Sequence, residues 1–380
     1  MCRNKDNYNM QNNNDTPTNA VDRKQPVALM PDRLFFHTIK QYGPMSRASI
    51  AKLTGISRPT ISESAQRLLK QGLVIETKRK TQNKQGRAGI IYEINATKGV
   101  ILALAIDVKQ IQLRLTNLAL GVIRDQCFTI DPSWNKQDFI KAVIQIMELS
   151  LHDQQAPLLS IGVSVATPVN ATTGEIIALP FSQFTVIHGI NFKQLFSHHF
   201  NCTVTIDNDV NWATLAEKAN GIAQQESNFM FIYFGEGIGG GVYFDNHLIK
   251  GASGMAGELG HIMIEDGVNL QDYVHKHKLQ EALEAGDDLT SHPALQVISR
   301  IIASMATVIN PNMFVLGGPL TKYPTFIPAI IALTRPQLFT PTLIVPSDAP
   351  NFAPLNGVET GAYEVALAQF GLPKPDEVSP

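Results

Sequence analysis

Residues 46–74 read SRASIAKLTGISRPTISESAQRLLKQGLV: a short helix-forming stretch, a glycine, then a longer helix-forming stretch. This is the spacing of a helix-turn-helix, whose second helix enters the major groove of DNA. The first turns of that helix would expose Ser57, Arg58, Thr60, Ser62 and Glu63, short or charged groups able to meet base edges and phosphates. Arg58 is the first candidate for direct readout, and Arg47, Pro59 and Arg67 complete the candidate set on these helices. Further on come Lys78, Arg79, Lys80, Lys84 and Arg87, and the Gly86-Arg87 pair would let an arginine enter a narrow minor groove.

The elements that must hold these groups are legible around them. Leu34, Phe35, Thr38 and Ile39 recur at helical steps, and Gly43-Pro44 stops that helix. Ser46 suits the N-cap of a second helix that buries Ile50 and Leu53 and ends at Gly55, where a left-handed backbone fits. Ser57 caps a third, with Pro59 in the first turn and Ile61, Ala65, Leu68 and Leu69 as its apolar stripe. Leu73 to Thr77 and Ile90 to Asn95 then form a hairpin with a long basic tip. Three helices and a hairpin make a winged helix over residues 31–97. Residues 1–30, with seven asparagines among the first 19 and little to bury, read as a disordered tail.

Charge agrees with this division. Thirteen lysines and arginines against four carboxylates give residues 31–100 a charge of +9, whereas the whole chain carries -2. One end suits a polyanion and the remainder would be repelled by one. The same three helices could serve protein contacts instead, but the charge segregation, the turn glycine and the basic wing agree on DNA.

With 380 residues, 44% of them hydrophobic and 17% charged, the chain is a globular composition with room for two or three packed units. Three scattered cysteines, Cys2, Cys127 and Cys202, give neither a disulfide framework nor a zinc module, and a reducing cytoplasm fits. The polar start and the absence of an apolar run of ~20 residues argue against secretion and membrane spanning. Beyond Gly99, β-branched runs (VILALAID, IQLRLTNL, LLSIGVSVA, CTVTID, FMFIYFG, MFVLGG) alternate with amphipathic stretches, which indicates an α/β architecture with buried sheets.

The segment YFGEGIGGGVYFDNHLIKGASGMAGELGHI, residues 233–262, resembles the signature of the ROK family of bacterial sugar kinases and sugar-responsive repressors. AIDV at 105–108, SVATPVNATTGEI at 164–176, IDNDVNWATLAE at 206–217 and VLGGPL at 315–320 agree in order and approximate spacing, and the winged helix resembles that of the repressor branch. The resemblance implies a two-lobed hexokinase and actin-like (RNase H-like) fold. One lobe would span 98–211, completed by a terminal helix at 364–380, and the other 212–363. It implies that Asn208 and Asp209 hold a sugar, Asp209 being the general base in a kinase, and that Glu258 and His261 bind ring hydroxyls. Carboxylate, amide and imidazole groups form a directional network that suits a polyol. Read without the resemblance, Asp207 and Asp209 could be turn residues with Asn208 capping a helix near Asn211, and Glu258 and His261 a surface pair.

Departures from the family pattern bear on activity. The kinases' first phosphate loop, of the kind Asp-x-Gly-x-Thr, is here Asp107-Val108-Lys109-Gln110-Ile111, and the second, commonly Gly-Thr-Gly, is Gly235-Glu236-Gly237. Bulk, a lysine and a carboxylate stand where backbone N–H groups would cradle phosphates. Phosphoryl transfer depends on positioning and charge neutralisation, so turnover is not expected. The run Gly239-Gly240-Gly241 then reads as a tight hairpin and a close lobe contact rather than a nucleotide site. The family's cysteine zinc loop is missing from 262–282, and His275 and His277 alone are a weak ligand pair, so neither metal nor cofactor is expected. The substrate-side asparagine of the family is also not evident at Leu179-Pro180-Phe181-Ser182-Gln183.

These readings combine into a cytoplasmic transcriptional regulator of carbohydrate genes, a repressor in character, binding a double-stranded operator as a homodimer or homotetramer. It would sense a sugar or sugar phosphate in a non-catalytic cleft. Two alternatives stand beside it: an ATP-dependent kinase of a hexose or amino sugar with a DNA-binding appendage, and a regulator controlled by a phosphotransferase-system protein.

Overall fold

The computed structural model describes residues 29–80, 89–170, 172–179, 184–348 and 354–372. The proposed tail up to residue 28, Lys84 and Arg87 lie outside the described residues; Leu29 and Met30 already belong to the first helix. The chain begins with α1 (Leu29–Tyr42), β1 (Met45–Ser46), α2 (Arg47–Thr54), α3 (Arg58–Lys70), β2 (Val74–Lys80) and β3 (Ile90–Ile94), with the three strands ordered β1-β3-β2. The caps follow from the sequence. Ser46 Oγ accepts from the Ser49 amide at 3.2 Å, Ser57 Oγ accepts from the Thr60 amide at 3.3 Å, and Gly55 takes φ 70° at the turn. One expectation fails: α2 buries Ile50 and Ala51, while Leu53 is 56% exposed. In an eight-residue helix the buried side is too narrow to take in the position three beyond Ile50 as well as its immediate neighbour.

Two five-stranded sheets follow, each with the same plan. The first comprises β4 (Val100–Ile106), β5 (Gln110–Asn117), β6 (Val122–Thr129), β7 (Leu158–Val165) and β8 (Thr203–Asn208), ordered β6-β5-β4-β7-β8; α4 (Lys136–Leu151) and α5 (Phe192–Phe200) lie between β6 and β8 in sequence. After α6 (Asp209–Asn220) come β9 (Phe229–Phe234), β10 (Ile238–Phe244) and β11 (His247–Ile249). A two-stranded ribbon of β12 (Met263–Glu265) and β13 (Val268–Asn269), with α7 (Leu270–Lys276), α8 (Leu279–Ala285) and α9 (Pro293–Ile309), precedes β14 (Met313–Gly317), α10 (Phe326–Thr334) and β15 (Leu343–Pro346). The second sheet is ordered β11-β10-β9-β14-β15. In both, an antiparallel meander is joined to two parallel strands. The parallel strands β7 and β14 are buried almost throughout, as their unbroken apolar runs require, whereas the edge strand β6 is largely exposed.

The chain ends in α11 (Pro354–Ala368), which starts ten residues before the expected terminal helix and packs on β4, β7 and α6. α6 and α11 cross at very short range. Trp212 donates its indole N–H to the Val163 carbonyl at 2.9 Å, and Gly357 and Gly361 leave room for its backbone and ring. The opposite side of α11 meets the winged helix. Ala362, Tyr363, Ala366 and Leu367 share one apolar cluster with Phe35, Phe36 and Ile39, and the Lys40 ammonium lies 4.1 Å from the Tyr363 ring centre and 3.5 Å from Glu364.

Candidate DNA-reading helix and ligand cleft

Arg58, Pro59 and Glu63 are exposed on α3, with Thr60 and Ser62 half-buried. Local hydrogen bonds engage the hydroxyls: Ser57 Oγ is 2.8 Å from Thr60 Oγ1, and Ser62 donates to the Arg58 carbonyl at 2.9 Å. Arg47 is half-buried, its guanidinium 5.8 Å from the Tyr92 ring centre. Arg67 is differently placed from the other candidates. Its Nε and Nη2 grip both oxygens of buried Asp32 at 2.8 and 2.7 Å, tying α3 to α1. That fork is committed to packing, and burial of Asp32 explains why. Gln66 was not singled out from sequence, yet it is exposed one and two turns along from Ser62 and Arg58; the i, i+4 spacing was the available signal. Lys78, Arg79 and Lys80 fall in β2.

The candidate ligand residues gather where the two sheets meet through the Lys109–Glu236 and Lys250–Asp207 pairs. Asp207, next to last in β8, is buried and well partnered: it accepts from the Asn208 amide and Asn211 Nδ2, each at 2.8 Å, and pairs with Lys250 at 2.7 Å. Asn208 is the N-cap of α6, its Oδ1 accepting from the Asn211 amide at 3.0 Å, so the capping reading holds with the helix beginning at Asp209 rather than near Asn211. A cap uses only the side-chain oxygen and leaves the Asn208 amide group for other partners.

Asp209 opens α6 and accepts from the Val210 amide at 2.9 Å. Burial pushes its carboxyl up to about 7, against the pull of that amide, and the charges of Glu258 and Asp107 push the same way. Glu258 is likewise raised to about 7 by burial. Glu258 is among the charges that raise Asp209, so the two motifs lie near each other. Glu258 is set by Gly257, at φ 90°, whose carbonyl accepts from the Gly240 amide at 2.7 Å and whose missing side chain lets that strand pass. His261 follows on the short turn Leu259–His261 and is exposed. The run Gly239–Gly241 lies inside β10 rather than in a hairpin turn; Gly239 and Gly241 abut Val210 and Thr214 of α6, which is the close contact expected of them.

The two altered phosphate loops prove to be partners. Asp107 Oδ1 accepts from the amides of Lys109 and Gln110 at 2.7 and 2.8 Å, so a carboxylate already occupies the N–H groups of that turn. Lys109 Nζ then reaches 2.5 Å from Glu236 Oε1 at the tip of the β9–β10 turn. Behind that tip Gln271 donates to the Glu236 carbonyl at 2.6 Å, and burial with the charges of Asp209, Glu236 and Asp107 raises Tyr233. In the stretch lacking cysteines, His275 meets Gln271 at 3.1 Å and His277 stacks on Tyr273, and no group of three potential metal ligands gathers among the described residues. A shallow hollow of about 660 Å³ lies elsewhere, between α4 and α5, lined by Lys136, Gln194 and His198 among others. No described helix is long and apolar enough to cross a membrane.

Residues 101–277 match the model of the ROK family, and the cleft motifs fall within them. That stretch is similar to a ROK family domain. A longer likeness is to a putative xylose repressor of Caldicellulosiruptor sp. (strain Rt8B.4), 29% identical over 332 residues, which are 75% of this chain and 82% of the relative. Other xylose repressors match over about three fifths of their length. Among solved structures, a ROK family transcriptional regulator described as a homologue of the Escherichia coli Mlc protein superposes with a TM-score of 0.69 at 20% identity, over 91% of this chain and 99% of that one. A ROK hexokinase from Thermus thermophilus superposes at 0.58 and 19% identity, over 71% and 99%. At those identities the two structures establish the fold, and they place repressors and kinases on one scaffold.

Proposed function

We propose that this chain is a DNA-binding transcriptional repressor of sugar-metabolism genes whose ROK domain senses a sugar without phosphorylating it. The observation that carries this is the closed pair of phosphate loops: Asp107 sits on the turn amides and Lys109 on Glu236, so neither those amides nor that lysine is left to neutralise a transferring phosphoryl group. Arg58 and Gln66 on α3 would read base edges, with Arg47 and the residues of β2 and its tip, Lys78, Arg79, Lys80, Lys84 and Arg87, on the backbone or minor groove. Asn208, Asp209, Glu258 and His261 would hold the sugar.

A contiguous path supports coupling between the two. The ligand-side turn begins α6, α6 is locked to α11 through Trp212, and α11 shares its core with α1. A sugar that favours one arrangement of the sheets would change the separation of two winged helices in a homodimer, which must match a fixed half-site spacing. Such a sensor works beside its operator in the cytoplasm. Fluorescence anisotropy with upstream DNA tests it: a specific, salt-sensitive complex released by a sugar is expected, and the absence of any specific complex at low salt refutes it.

One observation favours a second reading. A carboxyl near 7 at Asp209 is what a general base for a sugar hydroxyl needs, so a kinase with a DNA-binding appendage is the rival. Transfer from Mg-ATP to a hexose or amino sugar, lost in Asp209→Asn, establishes it.

A further inference from the structure

Two ion pairs join the halves of the molecule, and they do so in opposite senses. Lys109, in the β4–β5 turn of the first sheet, reaches Glu236, in the β9–β10 turn of the second, at 2.5 Å; Asp207, in β8 of the first sheet, meets Lys250, directly after β11 of the second, at 2.7 Å. We propose that these pairs are a two-point electrostatic latch that holds the two sheets in one register when no ligand is bound.

The pattern of charge supplies the register. The first sheet offers a cation and an anion, Lys109 and Asp207, and the second offers their complements, Glu236 and Lys250. Only one arrangement satisfies both pairs at once, since a shift that carried Glu236 toward Asp207, or Lys250 toward Lys109, would set like charges together. An ordinary exposed pair holds little, because ordering two long side chains offsets most of its attraction. Here the loops that carry the charges are braced beforehand. Asp107 Oδ1 takes the amides of Lys109 and Gln110, which fixes one turn, and Gln271 donates to the Glu236 carbonyl, which fixes the other. Asp207 is buried and already held by the Asn208 amide and Asn211 Nδ2, so Lys250 meets a carboxylate that is in place and shielded from salt. Lys109 and Glu236 are both exposed, so that pair alone is open to screening.

A latch acts only against a movable joint, and α6 is placed to be one. It is the direct chain connection from β8 of the first sheet to β9 of the second, and it packs on α11 as well as on β9 and β10. Gly241 of β10 and Gly357 of α11 let it approach both neighbours closely, at Thr214 and Trp212. Sliding or rotation about such a helix separates two packed bodies without breaking either core, and it moves the turns that carry Lys109 and Glu236 apart.

Electron-spin distance measurements on the full chain test the latch. Labels at the exposed Leu149 of α4 and Phe339 before β15 span the two halves, in a chain whose three cysteines are replaced by serine and which is diluted with unlabelled chain. Lys109→Glu and Glu236→Lys each place like charges at the two turns and should move the population away from the wild-type distance by about three- to twentyfold. The double variant restores the pair in reverse and should return the distribution to within about twofold of the wild type. In about 1 M salt the charge reversals should lose most of their effect, whereas Lys250→Met should still shift the distribution. Single variants that keep the wild-type distribution, or a double variant that stays as shifted as the single ones, overturn the latch.

Discussion

Asp209 imposes a cost on the folded state that a single substitution can expose. Its carboxyl stands at about 7 in the folded chain against 3.8 without the fold, chiefly through burial. Each unit of that difference is worth about 1.36 kcal/mol, so the ionised form carries a penalty of about 4 kcal/mol at most, and water entering the cleft reduces it to roughly 2–4 kcal/mol. A carboxyl whose pKa is raised by folding costs nothing below its unfolded value. The penalty grows as pH rises from about 4 toward 7 and is constant above. Asp209→Asn keeps an oxygen for the Val210 amide and never ionises, so its stability should exceed that of the wild type at pH 8 and approach it at pH 5. With about 2–4 °C per kcal/mol for units of this size, the expected difference in melting temperature at pH 8 is about 4–16 °C. Differential scanning fluorimetry across pH 5–8 measures it. A difference that is the same at both ends of that range, or a less stable variant at pH 8, refutes the reasoning.

Three further outcomes follow from contacts described above. Arg58→Ala should weaken operator binding by about 1–3 kcal/mol and relax preference at one base pair, read by anisotropy against single-base operator variants. Arg67→Ala leaves buried Asp32 without its fork and should destabilise the winged helix by roughly 3 kcal/mol in chemical denaturation; Arg67→Lys, which lacks the fork, should recover only part of it. Gly361→Ala places a methyl against the Trp212 ring and should cost about 1–3 kcal/mol or more, and it should weaken sugar-dependent DNA release more than DNA binding itself, because it acts at the α6–α11 crossing.

What the sequence made legible was local. The caps at Ser46 and Ser57 and the turn at Gly55 each depend on residues within four positions, and all three occur as expected. The apolar runs of the sheets were legible for a related reason, since a strand buried on both faces has no polar side to hide it. Partnerships across the chain were not. The sequence grouped Arg67 with the DNA candidates because nothing in it points to Asp32, 35 residues away, as the carboxylate that takes its fork. It showed two phosphate loops each spoiled by a charge, 127 residues apart, but not that the two charges neutralise each other. Lys250 went unnoticed because its role exists only through Asp207. Leu53 misled because an apolar residue at helical spacing is weak evidence in a helix of two turns.

The cleft keeps an expensive feature while its phosphate loops have been filled in, and that contrast bears on what the cleft is for. Two carboxyls raised to about 7 chiefly by burial are destabilising when ionised, and a purely structural region gains nothing from them. Sugar hydroxyls would relieve the cost by donating to the ionised forms, which are better acceptors than the protonated ones. Ligand binding would then lower both pKa values and release protons, so affinity should rise with pH up to about 7, by up to roughly tenfold per unit for each proton released, and level off above. Calorimetry in buffers of different ionisation enthalpy, at pH 6, 7 and 8, reads both the affinity and the protons. An affinity that is flat or falls over that range would mean that Asp209 and Glu258 meet the ligand as neutral acids or do not meet it, and the sugar would have to be sought elsewhere in the fold.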